Sequence, residues 1–206
     1  MNVKIKICGM RDMGNVSEVA RLKPDYMGFI LYRHSPRFIE PEAAEKLKHL
    51  IPDAVTRVGV IVNEPFENAA RLAGKFDALQ LHGNEDADYC RRLSRFSKII
   101  KAFRIDGSLP ADIADYQPYC SLFLFDAAGD HFGGNGIKFN HRILDDYNLD
   151  KRFILSGGIS TDDLTAIREI KNKKFEGIDL NSRFETMPGM KDAEQLKKFM
   201  KKIREQ

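Results

Sequence analysis

Short apolar runs alternate with amphipathic segments along this chain, and this alternation most constrains its fold. Short apolar runs bounded by turn residues are typical of buried strands, whereas apolar residues at helical spacing indicate helices. Strands are predicted at residues 3–8, 26–31, 57–62, 78–81, 99–103, 122–125, 153–155 and 177–180. Helices are predicted at residues 16–22, 41–47, 66–72, 86–93, 160–170 and 192–203.

Eight βα repeats within 206 residues predict a single α/β domain over residues 1–206. Right-handed crossovers between parallel strands allow the sheet to close as a (β/α)8 TIM barrel, and an open doubly wound sheet is the alternative. The last helical segment sets Leu196, Phe199 and Ile203 opposite several lysines. This pattern favours a closing barrel helix with a solvated basic face over a membrane-surface helix.

Composition excludes several classes of partner. Basic and acidic side chains nearly balance, at 33 and 30, so the net charge of +3 gives no electrostatic case for nucleic acid. No apolar run approaches the length of about 18 residues that a membrane span needs, and the first residues do not have the layout of a signal peptide. We therefore expect a cytoplasmic protein without membrane or nucleic-acid partners. The sequence carries no signal for an oligomeric state.

The cysteines and histidines do not have the spacing of a metal site. Cys8, Cys90 and Cys120 are odd in number, lie far apart and form no CxxC pair, and the five histidines form no HExxH motif. We expect neither a disulfide framework nor a bound metal.

Cys8 ends the first predicted strand on the same face as two lysines. Strand alternation puts Val3, Ile5 and Ile7 on one face and Lys4, Lys6 and Cys8 on the other. A structural cysteine would more often lie with the apolar set, and a nearby cation favours the thiolate of a cysteine. Cys8 is therefore a candidate base or nucleophile, and the alternative is a structural cysteine.

Polar residues follow several of the predicted strands, and in a barrel these strand ends form the active site. Asp126 comes after four apolar or aromatic residues, a setting that disfavours a charged carboxylate and suits a general acid. The plainer alternative is a carboxylate that caps a loop or pairs with a lysine. Gly157 and Gly158 follow the seventh strand, where backbone amides before a helix suit a phosphate. A second glycine-rich stretch, residues 132–136, is either a mobile active-site loop or a tight turn.

Three further side chains have more than one interpretation. His82 could carry a proton, contact the substrate or be a structural imidazole. Arg37 has a planar fork that suits a carboxylate, or it pairs with Glu40 at the surface. Lys6, Gln80 and Asp179 face inward by alternation, and a polar pairing is predicted among them because a lone buried ammonium would be costly. Gln80, His82 and Asp179 are predicted to contact a substrate.

Segments in this order resemble the phosphoribosylanthranilate isomerase family over nearly the whole chain. The resemblance rests on KICGM (6–10), SPRFI (35–39), VGV (58–60), LQLHG (79–83), KAFR (101–104), FD (125–126), GGNG (133–136), LSGG (155–158), GIDLNS (177–182) and PGMKD (188–192).

The resemblance implies a TIM barrel that performs an Amadori rearrangement in tryptophan biosynthesis. It implies Asp126 as general acid, Cys8 as general base and Arg37 as the partner of the anthranilate carboxylate. It also implies that the loops at Gly157, Gly158, Asn181 and Ser182 hold the phosphate of a small phosphorylated substrate, and that no cofactor takes part.

The chain departs from the family pattern near the phosphate loop and after the sixth strand. Arg183 and Asn135 replace a usual glycine and threonine, and residues 127–131 lack a more common basic pattern. Arg183 either contacts the phosphate or points to solvent. The alternatives to the isomerase are another sugar-phosphate TIM-barrel isomerase, expected to use two aspartates, and a non-catalytic barrel that binds a phosphorylated ligand. Cys8 and Asp126 together disfavour both alternatives.

Overall fold

A computed structural model of the chain describes residues 3–127, 144 and 147–205. Within them, eight parallel strands pair in sequence order and the first also pairs with the eighth, so the sheet is a closed barrel and not an open sheet. The barrel strands are β1 (Lys4–Cys8), β2 (Tyr26–Ile30), β3 (Thr56–Ile61), β4 (Ala78–Leu81), β5 (Lys98–Ile105), β6 (Leu122–Ala127), β7 (Phe153–Leu155) and β8 (Phe175–Leu180).

Helices cover the outside of the barrel at the predicted positions. They are α1 (Met13–Ala20), α2 (Pro41–Lys46), α3 (Phe66–Ala73), α4 (Ala87–Leu93), α5 (Leu164–Arg168) and α6 (Ala193–Arg204). Side chains of Asp12, Asp86 and Asp192 cap the first turns of α1, α4 and α6. Ser160 and Asp163 form the predicted capping box, although it opens a short 3₁₀ turn before α5.

The connection between β5 and β6 differs from a regular βα unit. It contains only a 3₁₀ turn, Ile113–Tyr116, instead of an α-helix. This connection contains Gly107, Pro110 and Pro118. Each disfavours a helix, because the glycine backbone loses more conformational entropy in a helix and proline lacks the N–H that a helix needs. The eightfold repeat therefore holds for the strands but not for every helix.

Two apolar layers follow from the alternation of side chains along the strands. The interior of the barrel is filled by small and branched residues together with Cys8, namely Val58, Val60, Ala78, Ile100, Ala102, Leu122, Leu124 and Ile154. The outward residues of the same strands pack under the helices, where Phe103, Phe123, Phe125 and Phe153 form an aromatic cluster. Lys6, Cys8 and Asp126 thus point inward, as predicted for Lys6 and Cys8.

A short hairpin after the eighth strand was not predicted. A 3₁₀ turn, Ser182–Phe184, leads into β9 (Glu185–Met187), which pairs antiparallel with β10 (Met190–Lys191). Asn15 of α1 binds both the N–H and the C=O of Lys191, at 2.8 Å each, and so fixes the hairpin to the barrel.

The last helix packs as a closing barrel helix. Its apolar face is buried, with Phe199 against Phe184 at a ring separation of 5.0 Å. Among the described residues, every helix is too short or too polar to cross a bilayer.

Candidate active site

A cavity opens at the carboxyl ends of the barrel strands and encloses about 740 Å³ of non-atom space, part of it open to solvent. All ten residues that were predicted from the sequence to form the site line this cavity: Cys8, Arg37, Gln80, His82, Asp126, Gly157, Gly158, Asp179, Asn181 and Ser182. Residues up to 174 positions apart in the sequence meet here because parallel strands end at one rim.

Cys8 lies at the floor of this cavity beside a buried ion pair. Lys6 Nζ is 3.0 Å from Asp179 Oδ1, since β1 and β8 pair with these two residues in register. The charge of the same ammonium also acts on the thiol. Burial raises the pKa of the Cys8 thiol, and the charge of Lys6 opposes that rise without cancelling it. Cys8 is therefore a thiol at rest, with a cation in place for the thiolate.

Gly28 provides the space for the thiol and the ammonium. A Cβ at this position would lie 2.8 Å from Cys8 Sγ and 3.0 Å from Lys6 Nζ. Any larger residue would displace one of these groups, so the glycine on β2 is part of the site.

Asp126 is hydrogen-bonded to His82, and within the described residues neither a lysine nor a loop amide binds its carboxyl group. His82 Nε2 is 3.0 Å from Asp126 Oδ2, and Gln80 Nε2 is 2.8 Å from His82 Nδ1. The amide of Gln80 donates to Nδ1, so the proton of a neutral His82 lies on Nε2 and is donated to the carboxylate. Gln80 Oε1 is buried and has no hydrogen-bond partner among the described residues.

The loop that carries His82 is held by a second buried ion pair. Lys101 Nζ donates to the carbonyl of Gly83 at 2.7 Å and to Glu85 Oε2 at 2.9 Å. Glu85 in turn accepts from the N–H groups of Gly83 and Asn63. The backbone beside the imidazole is thus tied to β5 and to the loop after β3.

Arg37 is paired with Glu185, so its expected alternative partner, Glu40, was wrong. Arg37 Nη2 is 2.7 Å from Glu185 Oε2, and Nε is 3.0 Å from both carboxylate oxygens. Glu40 pairs instead with Arg33 at the surface. The Arg37 and Glu185 side chains are only 12% and 4% exposed, so the pair is largely buried, and Arg37 lines the cavity.

Glu185 and Lys191 are functional candidates that sequence reasoning missed. Lys191 Nζ is 2.6 Å from Glu185 Oε1 and 2.7 Å from Asn181 Oδ1. Burial lowers the pKa of Lys191, and the Glu185 carboxylate only partly offsets it. The available signal was the Pro-Gly pair between the two residues, which predicts a tight hairpin that brings them together.

Another part of the cavity lining is glycine-rich backbone. Gly157 and Gly158 have φ values of +96° and +66°, which a side chain would disfavour. The helix beyond them has only five residues and follows a 3₁₀ turn, so the expected support from a helix N-terminus is weaker than predicted. Arg183 also lines this part of the cavity, beside Ser182.

Some sequence predictions lie outside the described residues. These are the glycine-rich stretch 132–136 with Asn135, and residues 128–131. Within the described ranges, the three cysteines are buried free thiols, and no three His, Cys, Asp or Glu side chains are grouped to hold a metal ion.

A closed parallel barrel with a thiol, a carboxyl group and a glycine-rich wall at its mouth defines a TIM-barrel enzyme. The model of the N-(5'-phosphoribosyl)anthranilate (PRA) isomerase family matches residues 5–202, and the chain belongs to this family.

Named relatives agree with this assignment. The N-(5'-phosphoribosyl)anthranilate isomerase of Parabacteroides distasonis is 41% identical over 97% of this chain and 92% of its own length. The crystal structure of the Thermus thermophilus phosphoribosyl anthranilate isomerase superposes with a TM-score of 0.86 at 29% identity, over 98% of each chain. A further isomerase, solved in complex with reduced 1-(o-carboxyphenylamino)-1-deoxyribulose 5-phosphate, has a TM-score of 0.79 at 28% identity over 98% of each chain.

Proposed function

We propose that this cavity converts N-(5'-phosphoribosyl)anthranilate to 1-(o-carboxyphenylamino)-1-deoxyribulose 5-phosphate, with Asp126 as general acid and Cys8 as general base. This Amadori rearrangement is an aldose–ketose isomerisation of tryptophan biosynthesis. The observation that carries the assignment of roles is that Cys8 and Asp126 line the same buried cavity in a chain of this family.

Ring opening is the acid-catalysed step. Asp126 protonates the furanose ring oxygen, the bond between C1 and that oxygen breaks, and the lone pair of the anthranilate nitrogen forms the iminium. Asp126 is 3% exposed, so bulk water has little access to its proton. After transfer, the hydrogen bond from His82 stabilises the carboxylate that remains.

Proton abstraction is the base-catalysed step. The thiolate form of Cys8, a small fraction because burial raises the pKa of the thiol, removes the proton from C2. The electrons of that bond form the C1–C2 double bond while the nitrogen regains its lone pair. The enolamine then becomes the ketone when C1 gains a proton and the C2 hydroxyl loses one. Lys6 stabilises the thiolate through its charge, and Asp179 holds Lys6 in place. The substrate nitrogen supplies the electron pair, so the chemistry needs no cofactor.

The lining of the cavity suits the two anionic groups of this substrate. Arg37 lines the cavity, and Glu185 and Lys191 are buried beside it, so these three groups together carry one excess positive charge, which suits the anthranilate carboxylate. The backbone at Gly157, Gly158, Asn181 and Ser182 is the proposed phosphate site.

His82, Gln80 and Asp179 are proposed to act mainly on the catalytic groups. His82 and Gln80 hold the Asp126 carboxyl group, and Asp179 holds Lys6. Any substrate contact by these three residues adds to that role.

Turnover by single variants tests the acid and base. Cys8→Ser and Asp126→Asn should each lower kcat by about 10²- to 10⁴-fold with the fold retained, measured as the fluorescence decay of freshly made N-(5'-phosphoribosyl)anthranilate. Cys90→Ala is the matched control, because Cys90 is also a buried thiol but does not line the cavity. Unchanged rates in either active-site variant would reject its role. A wild type that binds the ligand without turnover would favour the non-catalytic barrel.

A further inference from the structure

We propose that Glu185 is a positioning residue that sets the direction of the Arg37 fork and thereby makes the site selective for a carboxylated aromatic amine. The inference rests on the proposed binding of the anthranilate carboxylate by Arg37. It concerns a residue of the β9–β10 hairpin that is not itself a substrate ligand.

The contact geometry divides the donors of the guanidinium into two sets. Glu185 accepts from Nε and from Nη2, so it occupies the side edge of the Arg37 guanidinium. Of the five N–H donors, those of Nη1 and the second one of Nη2 have no acceptor among the described residues. These donors form the end edge of the fork, which is itself able to bind a carboxylate with two parallel hydrogen bonds. Since Arg37 lines the cavity, this edge is available to a ligand there.

Glu185 is itself rigidly held. Besides Arg37, it accepts from Lys191 Nζ at 2.6 Å and from the N–H of Gly189 at 3.1 Å. Its side chain is 4% exposed and that of Lys191 is fully buried. A carboxylate with these partners cannot turn away to another orientation without leaving buried donors unpaired. The arginine that it clamps therefore keeps one orientation between catalytic cycles.

The Arg37 side chain also lies close to Cys8, the proposed base. A Cβ on Gly9, the residue after Cys8, would be 2.8 Å from Arg37 Cδ and 2.9 Å from Asn181 Oδ1. The absence of a side chain at Gly9, whose φ is +80°, lets the arginine lie directly over the end of β1. Fixing the aromatic carboxylate on Arg37 therefore fixes the distance from the sugar to Cys8 as well.

Without the hydrogen bonds to Glu185, Arg37 would retain its charge, but its guanidinium would not be held in one orientation. A free arginine side chain has considerable rotamer entropy, which must be lost again on binding. Glu185→Gln presents an amide NH₂ to donors that need an acceptor, so it breaks the clamp at nearly constant volume. Glu185→Asp keeps the charge but is one methylene too short to reach Arg37 and Lys191 together.

Two stable ligands distinguish positioning from a structural role. The first is reduced 1-(o-carboxyphenylamino)-1-deoxyribulose 5-phosphate, and the second is the same molecule without the aromatic carboxylate. Dissociation constants are measured by calorimetry for the wild type and for Arg37→Met, Glu185→Gln and Glu185→Asp. Glu40→Gln, at the exposed Arg33 pair, is the matched control.

Glu185→Gln should weaken the carboxylated ligand by about 10- to 100-fold and the other ligand by less than about 2-fold. Glu185→Asp should show the same selectivity with a smaller loss, and both variants should raise KM more than they lower kcat. If Arg37→Met is selective but both Glu185 variants weaken the two ligands equally, Glu185 is merely structural and the inference is overturned. If Arg37→Met itself weakens both ligands equally, the assignment of Arg37 in the proposed function fails, and the inference fails with it.

Discussion

The imidazole of His82 donates from Nε2 to Asp126 Oδ2 across 3.0 Å, and Gln80 holds its other nitrogen at 2.8 Å. The acid of the proposed mechanism thus has a fixed partner, and that partner has a fixed tautomer. The sequence left three interpretations of His82 open. Its contact with Asp126 favours a role in holding the carboxyl group of the proposed acid.

His82→Asn should lower kcat by about 10-fold or more and change KM little, because it removes the donor that stabilises the Asp126 carboxylate after proton transfer. Gln80→Met should give a smaller loss of kcat, since it frees the tautomer of His82 without removing the ring. Steady-state kinetics of both variants provide the check, with His49→Gln at the surface as the control. A rise in KM alone would instead make His82 a substrate contact.

The charge of Lys6 should set the pH dependence of the base. Burial already raises the pKa of the Cys8 thiol, and Lys6 limits that rise, so Lys6→Gln should raise it further. Below the pKa, the thiolate fraction falls about tenfold for each unit of pH. The ascending limb of kcat/KM should therefore move to higher pH in Lys6→Gln, with the largest loss at low pH. An unchanged limb would show that Lys6 does not act on the thiol.

The pair of Lys6 and Asp179 should matter more for catalysis than for stability. Lys6→Met leaves a buried carboxylate unpaired and should lower the free energy of unfolding by about 3–5 kcal/mol. The double variant Lys6→Met/Asp179→Leu should recover much of that stability, because two apolar residues replace the whole pair. It should remain inactive. Denaturant unfolding and turnover are measured for the wild type, Lys6→Met and the double variant. An active double variant would contradict the proposed role of Lys6 in catalysis.

Gly28→Ala should impair catalysis through sterics alone. The added methyl would lie 2.8 Å from Cys8 Sγ, so the thiol must shift, and kcat should fall by about 10-fold or more. Gly59→Ala is the matched control, because its methyl would lie 2.9 Å from a Phe76 ring carbon outside the barrel interior. That variant should lose about 1–3 kcal/mol of stability but keep its kcat. Similar kinetics in both variants would argue against a role of Gly28 in the site.

Arg183→Gly should raise KM by about 10-fold and weaken inhibition by inorganic phosphate, with kcat nearly constant. Arg183 lines the cavity next to Ser182, within the proposed phosphate site, and its charge favours the ligand over water. An unchanged KM would assign phosphate binding to the backbone amides alone.

The sequence by itself determined which side chains face the barrel interior and, to within about two residues, where each strand ends. A period of two puts Lys6, Cys8 and Asp126 on inward positions, and helix caps such as Asp86 and Ser160 depend on their immediate neighbours. These features are local, so the identity of nearby residues is enough to specify them. The resemblance to the family then supplied the roles expected of Cys8 and Asp126.

The alternation along the strands predicted a polar pairing among Lys6, Gln80 and Asp179, but the tertiary structure decided which side chains pair. Lys6 pairs with Asp179, 173 residues away, Arg37 with Glu185, 148 away, and His82 with Asp126, 44 away. Such pairings depend on strand register, on closure of the barrel and on the position of a hairpin, and the local sequence specifies none of these. The tertiary structure also decides the protonation state of Cys8, because burial disfavours the thiolate more than the Lys6 ammonium favours it.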